Sequence, residues 1–256
     1  MKTLTKFLLN KIPRPLLIKA SILARPLIVL FFKGTQFTDP IDGKSYSKFL
    51  PYGYGKQREN ALSPETLSLE RHRQMWLYLQ NDTDFFTKNY KVLHIAPEQE
   101  FLRKFKKMKN LDYISADLYS PIVDVKADIL DLPLENESFD IVFCNHVLEH
   151  IEDDRKAMSE MFRVMKKGGW GILQVPMKNS LEKSYEDFSI KDPKERQKHF
   201  GQYDHVRWYG MDYFERLNSV GFEVDINFYS RTLSSEERKK YSLMENEILP
   251  VVFKNS

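Results

Sequence analysis

Several ionisable side chains in this sequence have the types and spacing for proton or metal chemistry. His146, Glu149 and His150 read His-x-x-Glu-His, which puts the three on neighbouring positions of one helical face. With His205 downstream, the set is one that could bind a divalent metal. The preferred reading is metal-free, with Glu149 and His150 serving local hydrogen bonds. His205 itself lies in the run Phe200-Gly201-Gln202-Tyr203-Asp204-His205-Val206-Arg207-Trp208-Tyr209. An imidazole titrates near neutral pH and suits a general base, while Tyr203 and Arg207 could orient an anionic or hydroxylated acceptor. Asp117 closes the run Leu111-Asp112-Tyr113-Ile114-Ser115-Ala116-Asp117, and a carboxylate there can accept both hydroxyls of a ribose.

These groups need a scaffold, and the pattern between Tyr90 and Pro176 supplies one. Short apolar runs alternate with helical periodicity: strand 90–95, helix 98–109, strand 111–117, a short strand near 122–127, strand 139–144, helix 152–166 and strand 169–176. Gly168-Gly169 reads as a helix stop. A polar insertion, 177–209, precedes helix 211–220, strand 222–229 and a last strand near 248–253. That order builds an open α/β sheet with a crevice at the carboxyl ends of its strands, the usual seat of an adenosine-type cofactor.

Val92-Leu93-His94-Ile95, Asp117, Ala127-Asp128-Ile129-Leu130-Asp131-Leu132-Pro133, Ser138-Phe139-Asp140-Ile141-Val142, Val147-Leu148-Glu149-His150-Ile151 and Arg163-Val164-Met165-Lys166-Lys167-Gly168-Gly169 follow one another in this order. Over roughly residues 90–230 the chain thereby resembles the class I S-adenosylmethionine-dependent methyltransferases. The resemblance implies a Rossmann-like, seven-stranded, mostly parallel sheet with helices on both faces and an antiparallel last strand. It implies S-adenosylmethionine as cofactor, with Asp117 and Leu118 at the ribose and Asp128 and Ile129 at the adenine. His94, Ile95, Ala96 and Pro97 would line the methionine portion, and Asn145 and His146 would face the sulfonium. His205, His146 and Tyr203 would be catalytic, and Gln202, Tyr203 and Arg207 would meet the acceptor from a lid. His72 joins them if the upstream module folds over the pocket.

The first loop departs from the family pattern. It reads His94-Ile95-Ala96-Pro97-Glu98-Gln99-Glu100 with no glycine, which removes easy access to positive φ and, at Pro97, a backbone donor. A bacterial group within the family resembles this chain in that loop and in Asp117-Leu118-Tyr119-Ser120-Pro121. The same group carries an upstream zinc module. Its cysteines fall at positions occupied here by Asp39, Asp42, Ser63 and Thr66, which do not make a tetrahedral thiolate site. A zinc-free module packed on Phe49, Tyr52 and Tyr54 is expected, followed by a helix over 67–79.

The chain of 256 residues carries a net charge of +3, and its first 38 residues hold seven basic side chains and no acid. The remainder is therefore at −4, which argues against nucleic acid as a partner. Apolar runs in the leader are broken by Pro13, Pro15 and Pro26 and are too short to span a bilayer. They suit either peripheral contact of residues 1–33 with an anionic membrane or packing on a protein surface. The single cysteine, Cys144, reads as buried filler in a reducing, cytoplasmic setting.

The expected organisation is a leader (1–38), a degenerate zinc-ribbon-like module with its helix (39–88), and a methyltransferase domain (89–256) with its lid at 177–209. The expected function is methyl transfer to a hydroxyl or amine of a small, lipid-linked or glycan-type acceptor. A catalytically inactive cofactor-binding or scaffold protein of the same fold is the alternative.

Overall fold

The structure, a computed structural model, describes residues 28–53 and 57–255. Most of the basic leader, and Tyr54, lie outside the described residues. The chain divides into two compact units. The first comprises the residues up to Arg73 together with Ser234–Leu243; the second comprises Gln74–Leu233 and Met244–Ser256.

In the first unit, strand β1 (Lys33–Thr38) pairs antiparallel with β2 (Ser45–Tyr46), and β3 (Leu50–Tyr52) with β4 (Arg58–Leu62). Residues 33–38 thus belong to the module rather than to the leader. Asp39 is fully buried and its carboxylate is saturated: Oδ1 accepts from Ile41 N–H at 2.9 Å, and Oδ2 accepts from the Thr66 and Ser68 hydroxyls. Two of the four positions where a zinc module would carry cysteine, 39 and 66, are therefore joined by a hydrogen bond. Phe49 is buried as expected, but Tyr52 is exposed; Ile41, Tyr46 and Ala61 complete the packing instead.

Arg73, fully buried, explains why a segment near the carboxyl end belongs to this unit. Its guanidinium donates to the carbonyls of Ala61 (3.0 Å), Ser68 (2.8 Å), Tyr241 (2.7 Å) and Ser242 (2.9 Å) and covers the Phe49 ring. Residues 234–243, assigned from sequence to the methyltransferase domain, are drawn here because those carbonyls satisfy an arginine that would otherwise be sealed without partners. Helix α1 (Glu70–Asn81) starts three residues later than expected, because Leu67 takes a positive φ of 63°.

The second unit is built on one seven-stranded sheet. In chain order its strands are β5 (Tyr90–Ile95), β6 (Leu111–Asp117), β7 (Val125–Lys126), β8 (Phe139–Asn145), β9 (Met165–Gln174), β12 (Glu223–Asn227) and β13 (Leu249–Phe253). Their spatial order is β12-β13-β9-β8-β5-β6-β7, and only β13 runs antiparallel to its neighbours. β5 and β8 are central and apolar on both faces, as parallel strands covered on both sides must be. Successive side chains of β5 go to opposite faces. Leu93 and Ile95 join the core with Met158 and Met161 of helix α3 (Asp154–Val164) and Leu217 of α5 (Tyr213–Ser219). On the opposite face the His94 ring lies 6.3 Å from both Phe101 and Phe105 of helix α2 (Gln99–Phe105), and those two rings stack on Trp76.

Gly168 differs from its expected role. Helix α3 ends at Val164 and β9 begins at once, so Gly168 (φ 75°) lies inside the strand. It accompanies a register shift between Phe139 and Ile141 of β8, a bulge that glycine tolerates. The insertion holds β10 (Tyr185–Glu186), α4 (Pro193–Phe200) and β11 (Arg207–Trp208), with β10 and β11 paired. Helices α6 (Tyr229–Thr232) and α7 (Ser235–Lys240) follow β12. Among the described residues no helix is long and apolar enough to cross a membrane.

Candidate functional site

The two central strands end alike. Beyond β5, Ala96 has φ 45° and donates its N–H to Ala116 O at 2.7 Å; beyond β8, His146 has φ 55° and donates to Gln174 O at 2.7 Å. The first loop thus adopts positive φ without glycine, at a cost of about 1 kcal/mol for a small L-residue. Both turns lead away from the sheet and open a crevice at its carboxyl edge. A cavity of about 570 Å3 lies there, lined by Ile95, Ala96, Asp117, Leu118, Tyr119, Ala127, Asp128, Ile129, His146, Val147, His150, Ile151 and Asp204. That volume suits a cofactor-sized ligand.

Seven of the expected cofactor residues line this cavity: Ile95, Ala96, Asp117, Leu118, Asp128, Ile129 and His146. Asp117 uses Oδ1 to accept from the N–H groups of Tyr119 (2.7 Å) and Ser120 (2.6 Å). This fixes the loop and leaves Oδ2 to meet a ligand. Asp128 accepts from Leu130 N–H at 2.9 Å and is exposed. Three expected cofactor residues stand elsewhere. His94 is sealed under the loop, its Nδ1 2.9 Å from Tyr113 Oη and its Nε2 3.1 Å from Glu98 Oε2, so it braces the loop from beneath. Asn145 is buried with its amide toward Met75 Sδ, and Pro97 is not part of the lining.

Glu149 and His150 sit on a 3-10 turn (Leu148–His150) rather than an α-helix. Glu149 is buried, with Oε1 3.3 Å from His146 Nδ1 and 4.0 Å from Nε2 of both His150 and His205. Burial alone would raise its carboxyl, but the His146 hydrogen bond and the neighbouring imidazoles outweigh it and hold the group below the usual carboxylate range. His205 is 2% exposed. Burial pulls its imidazole below the ordinary value, against the opposing pull of Glu149. It stands behind His150 rather than at the cavity surface, their rings 4.8 Å apart and edge to face.

The acceptor-side expectations change most. Arg207 is fully buried and is no part of the cavity lining. It donates from Nη1 to Leu148 O (2.8 Å) and Ile151 O, from Nη2 to Glu152 O (2.8 Å) and from Nε to Glu186 Oε2 (2.8 Å). A planar fork with five donors satisfies several convergent acceptors at once, and here it clamps the turn that carries Glu149 and His150. Tyr203 is 57% exposed and, like Gln202, is no part of the lining. His72 lies in the first unit, where its Nδ1 accepts from Leu69 N–H at 3.2 Å. Sequence reasoning left Asp204 and Tyr119 without a role although both line the cavity. Their signals were the adjacency of Asp204 to His205 and the place of Tyr119 in Asp-Leu-Tyr-Ser-Pro. Cys144 is buried, and burial pushes its thiol up.

The strand order and the crevice fit the core of residues 77–173, which match the family model described as a methyltransferase domain. This segment is similar to a methyltransferase domain. Around it the similarity is partial. An uncharacterized protein of Methanocaldococcus jannaschii is 31% identical over 106 residues, covering 41% of each chain. An uncharacterized 37.1 kDa protein in a transposon of Streptomyces fradiae is 30% identical over 101 residues, 39% of this chain and 27% of that protein. The chain thus spans well under half the length of these two relatives. Among solved structures, an S-adenosylmethionine-dependent methyltransferase from Mesorhizobium loti aligns over 70% of this chain and 96% of its own, at 11% identity and a TM-score of 0.49.

Proposed function

We propose that this protein transfers a methyl group from S-adenosylmethionine to a hydroxyl or amine of a small, lipid-linked or glycan-type acceptor. The observation that carries the reading is the single cavity that gathers Ile95, Ala96, Asp117, Leu118, Asp128, Ile129 and His146 at the carboxyl edge of the central strands. The donor set fits the cofactor: Asp117 and Asp128 offer carboxylate oxygens to ribose hydroxyls and the adenine amino group, and Ile95, Ala127, Ile129, Val147 and Ile151 offer apolar walls. When bound, the cofactor supplies a methyl group already activated by its sulfonium. The protein has then to position the acceptor, exclude water and, for a hydroxyl, remove a proton.

We assign that last task to His146. Its Nδ1 faces the Glu149 carboxylate at 3.3 Å, and its Nε2 has no hydrogen-bond partner. The tautomer with its proton on Nδ1 leaves a lone pair on Nε2, oriented by a buried anion. The acceptor class rests on the basic, apolar residues at the amino end, which would hold this cytoplasmic protein against anionic lipid through residues 1–33. Removing residues 1–27, which keeps β1 whole, should release the protein from anionic vesicles; undiminished vesicle binding would exclude that role.

Calorimetric titration with S-adenosylmethionine and S-adenosylhomocysteine tests the central claim. Micromolar binding of both supports it, and turnover is then sought against hydroxyl and amine acceptors. Absence of binding up to millimolar ligand would sink it, and binding without turnover on any acceptor would favour the inactive, scaffold reading of the fold.

A further inference from the structure

The geometry points to a divalent transition-metal site formed by Glu149, His150 and His205 beside the cavity, against the metal-free expectation. One potential ligand atom from each residue lies within 4.8 Å of the other two. The Nε2 atoms of both histidines stand 4.0 Å from Glu149 Oε1, and Glu149 Oε2 is buried with no hydrogen-bond partner. A carboxylate sealed this deeply with one oxygen unsatisfied is costly unless a cation faces it.

The histidines are oriented toward the same carboxylate. Nδ1 of His150 lies 3.3 Å from the Asp204 carbonyl and 3.5 Å from Asp204 Oδ2. A proton on Nδ1, directed at Asp204, leaves the Nε2 lone pair facing Glu149, which is the outer-sphere arrangement that orients ligating imidazoles. His205 offers Nε2 to the same point, 4.0 Å from Glu149 Oε1. The scaffold is tied together. Val206 N–H donates to Glu149 O at 2.9 Å, and Arg207 pins the carbonyls of Leu148, Ile151 and Glu152, so both ligand-bearing segments share one clamp.

The donor set selects the ion. Two imidazoles and one carboxylate suit zinc, manganese, iron, cobalt or nickel, whereas calcium and magnesium prefer all-oxygen shells. Ligand atoms at about 2.1 Å from a tetrahedral ion stand roughly 3.4 Å apart, so the separations of 4.0 to 4.8 Å must contract by side-chain rotation on binding. Three protein ligands leave a further position for an oxygen from water or from an acceptor. That use of the ion rests on the methyl-transfer reading; the site itself does not.

The test uses the full-length protein, stripped with a chelator and dialysed, then titrated with zinc, manganese and cobalt chlorides. One ion per chain should bind at about 10 μM or tighter, and the cobalt form should show visible absorption with nitrogen ligation. His150→Ala and His205→Ala should each weaken binding by more than the roughly 10–100-fold that loss of an outer-sphere partner costs, while His199→Ala changes nothing. If His205→Ala does not fold, His150→Ala alone decides, because that side chain is one-third exposed. Failure of all three ions to bind the wild type, or binding unchanged in His150→Ala, overturns the site. S-adenosylhomocysteine titrated into the same samples separates the readings: cofactor binding without metal removes only the metal site, and metal binding without cofactor removes only the methyl-transfer reading.

Discussion

Arg207→Ala discriminates sharply between an arginine that orients an acceptor and one that holds a turn. The side chain is wholly buried and serves three main-chain carbonyls and the Glu186 carboxylate. Glu186 keeps a second arginine, Arg216, at 3.0 Å, so its charge is not abandoned. Leu148 O keeps the Tyr209 hydroxyl at 3.3 Å and Ile151 N–H at 3.2 Å, whereas the carbonyls of Ile151 and Glu152 lose the side chain that serves them. Hydrogen bonds from a charged donor contribute about 1.5–3 kcal/mol each and are not additive, and breaking a buried charged cluster costs about 3–5 kcal/mol. The expected loss is therefore about 3–5 kcal/mol. Arg207→Lys should recover only part of it, because an ammonium donates from one point and cannot span the fork. Urea unfolding gives the stability, and S-adenosylhomocysteine titration reports whether the wall formed by His150 and Ile151 has moved. Both should deteriorate together. A loss under about 1 kcal/mol, with cofactor affinity intact and only the acceptor KM raised, would refute the clamp and return Arg207 to the acceptor.

Asp117→Ala should weaken S-adenosylhomocysteine binding at least about tenfold, since it removes a charged acceptor and frees the N–H groups of Tyr119 and Ser120; unchanged affinity takes Asp117 out of the site. His146→Asn should lower turnover on a hydroxyl acceptor by about 10²–10⁴ while cofactor affinity is retained, and equal turnover would exclude His146 as base. Ala96→Val places a β-branched residue at φ 45° and should cost about 2 kcal/mol along with cofactor affinity, whereas Ala96→Gly should keep both. The pH dependence follows from His205. Its folded pKa lies below its ordinary 6.5, so its stabilising contribution is complete above pH 6.5 and is lost as acidification proceeds from there toward the folded value. The Glu149 carboxyl, held below 4.5, adds a second loss beneath that pH. The stability difference between wild type and His205→Gln should shrink between pH 7 and 5, and a constant difference across that range would contradict the assignment.

The sheet was legible because its signals are local. β5 and β6 fall where the apolar runs 90–95 and 111–117 put them, since a continuously buried parallel strand leaves a continuous apolar trace. The cavity lining was legible for a related reason: Asp117, Asp128 and His146 follow strand ends or their loops, and position along the chain fixes position at the crevice. Arg207 and His94 stand away from the cavity lining, although charge or polarity near a site suggests contact with ligand. Their actual partners, the carbonyls of 148–152 and the side chains of Tyr113 and Glu98, are set by tertiary packing that no spacing encodes. The same holds for the carbonyls of Tyr241 and Ser242, which reach Arg73 from 168 and 169 residues away. The turn at Ala96 shows a third kind of gap: the absence of glycine argued against positive φ, yet the pairing of Ala96 N–H with Ala116 O holds it there.

The position of β13 bears on how the chain is made. The last strand in the sequence, Leu249–Phe253, lies between β9 and β12 and pairs with both. During synthesis from the amino end, β9 therefore leaves the ribosome with an open, apolar edge that stays unpaired until residues 249–253 emerge. The first unit waits as well, because Arg73 finds two of its carbonyls only at Tyr241 and Ser242. The first unit can close once residues 241–242 have been made, whereas the sheet of the second waits for 249–253. Premature termination before residue 249 would release a chain whose exposed strand edge is a template for aggregation.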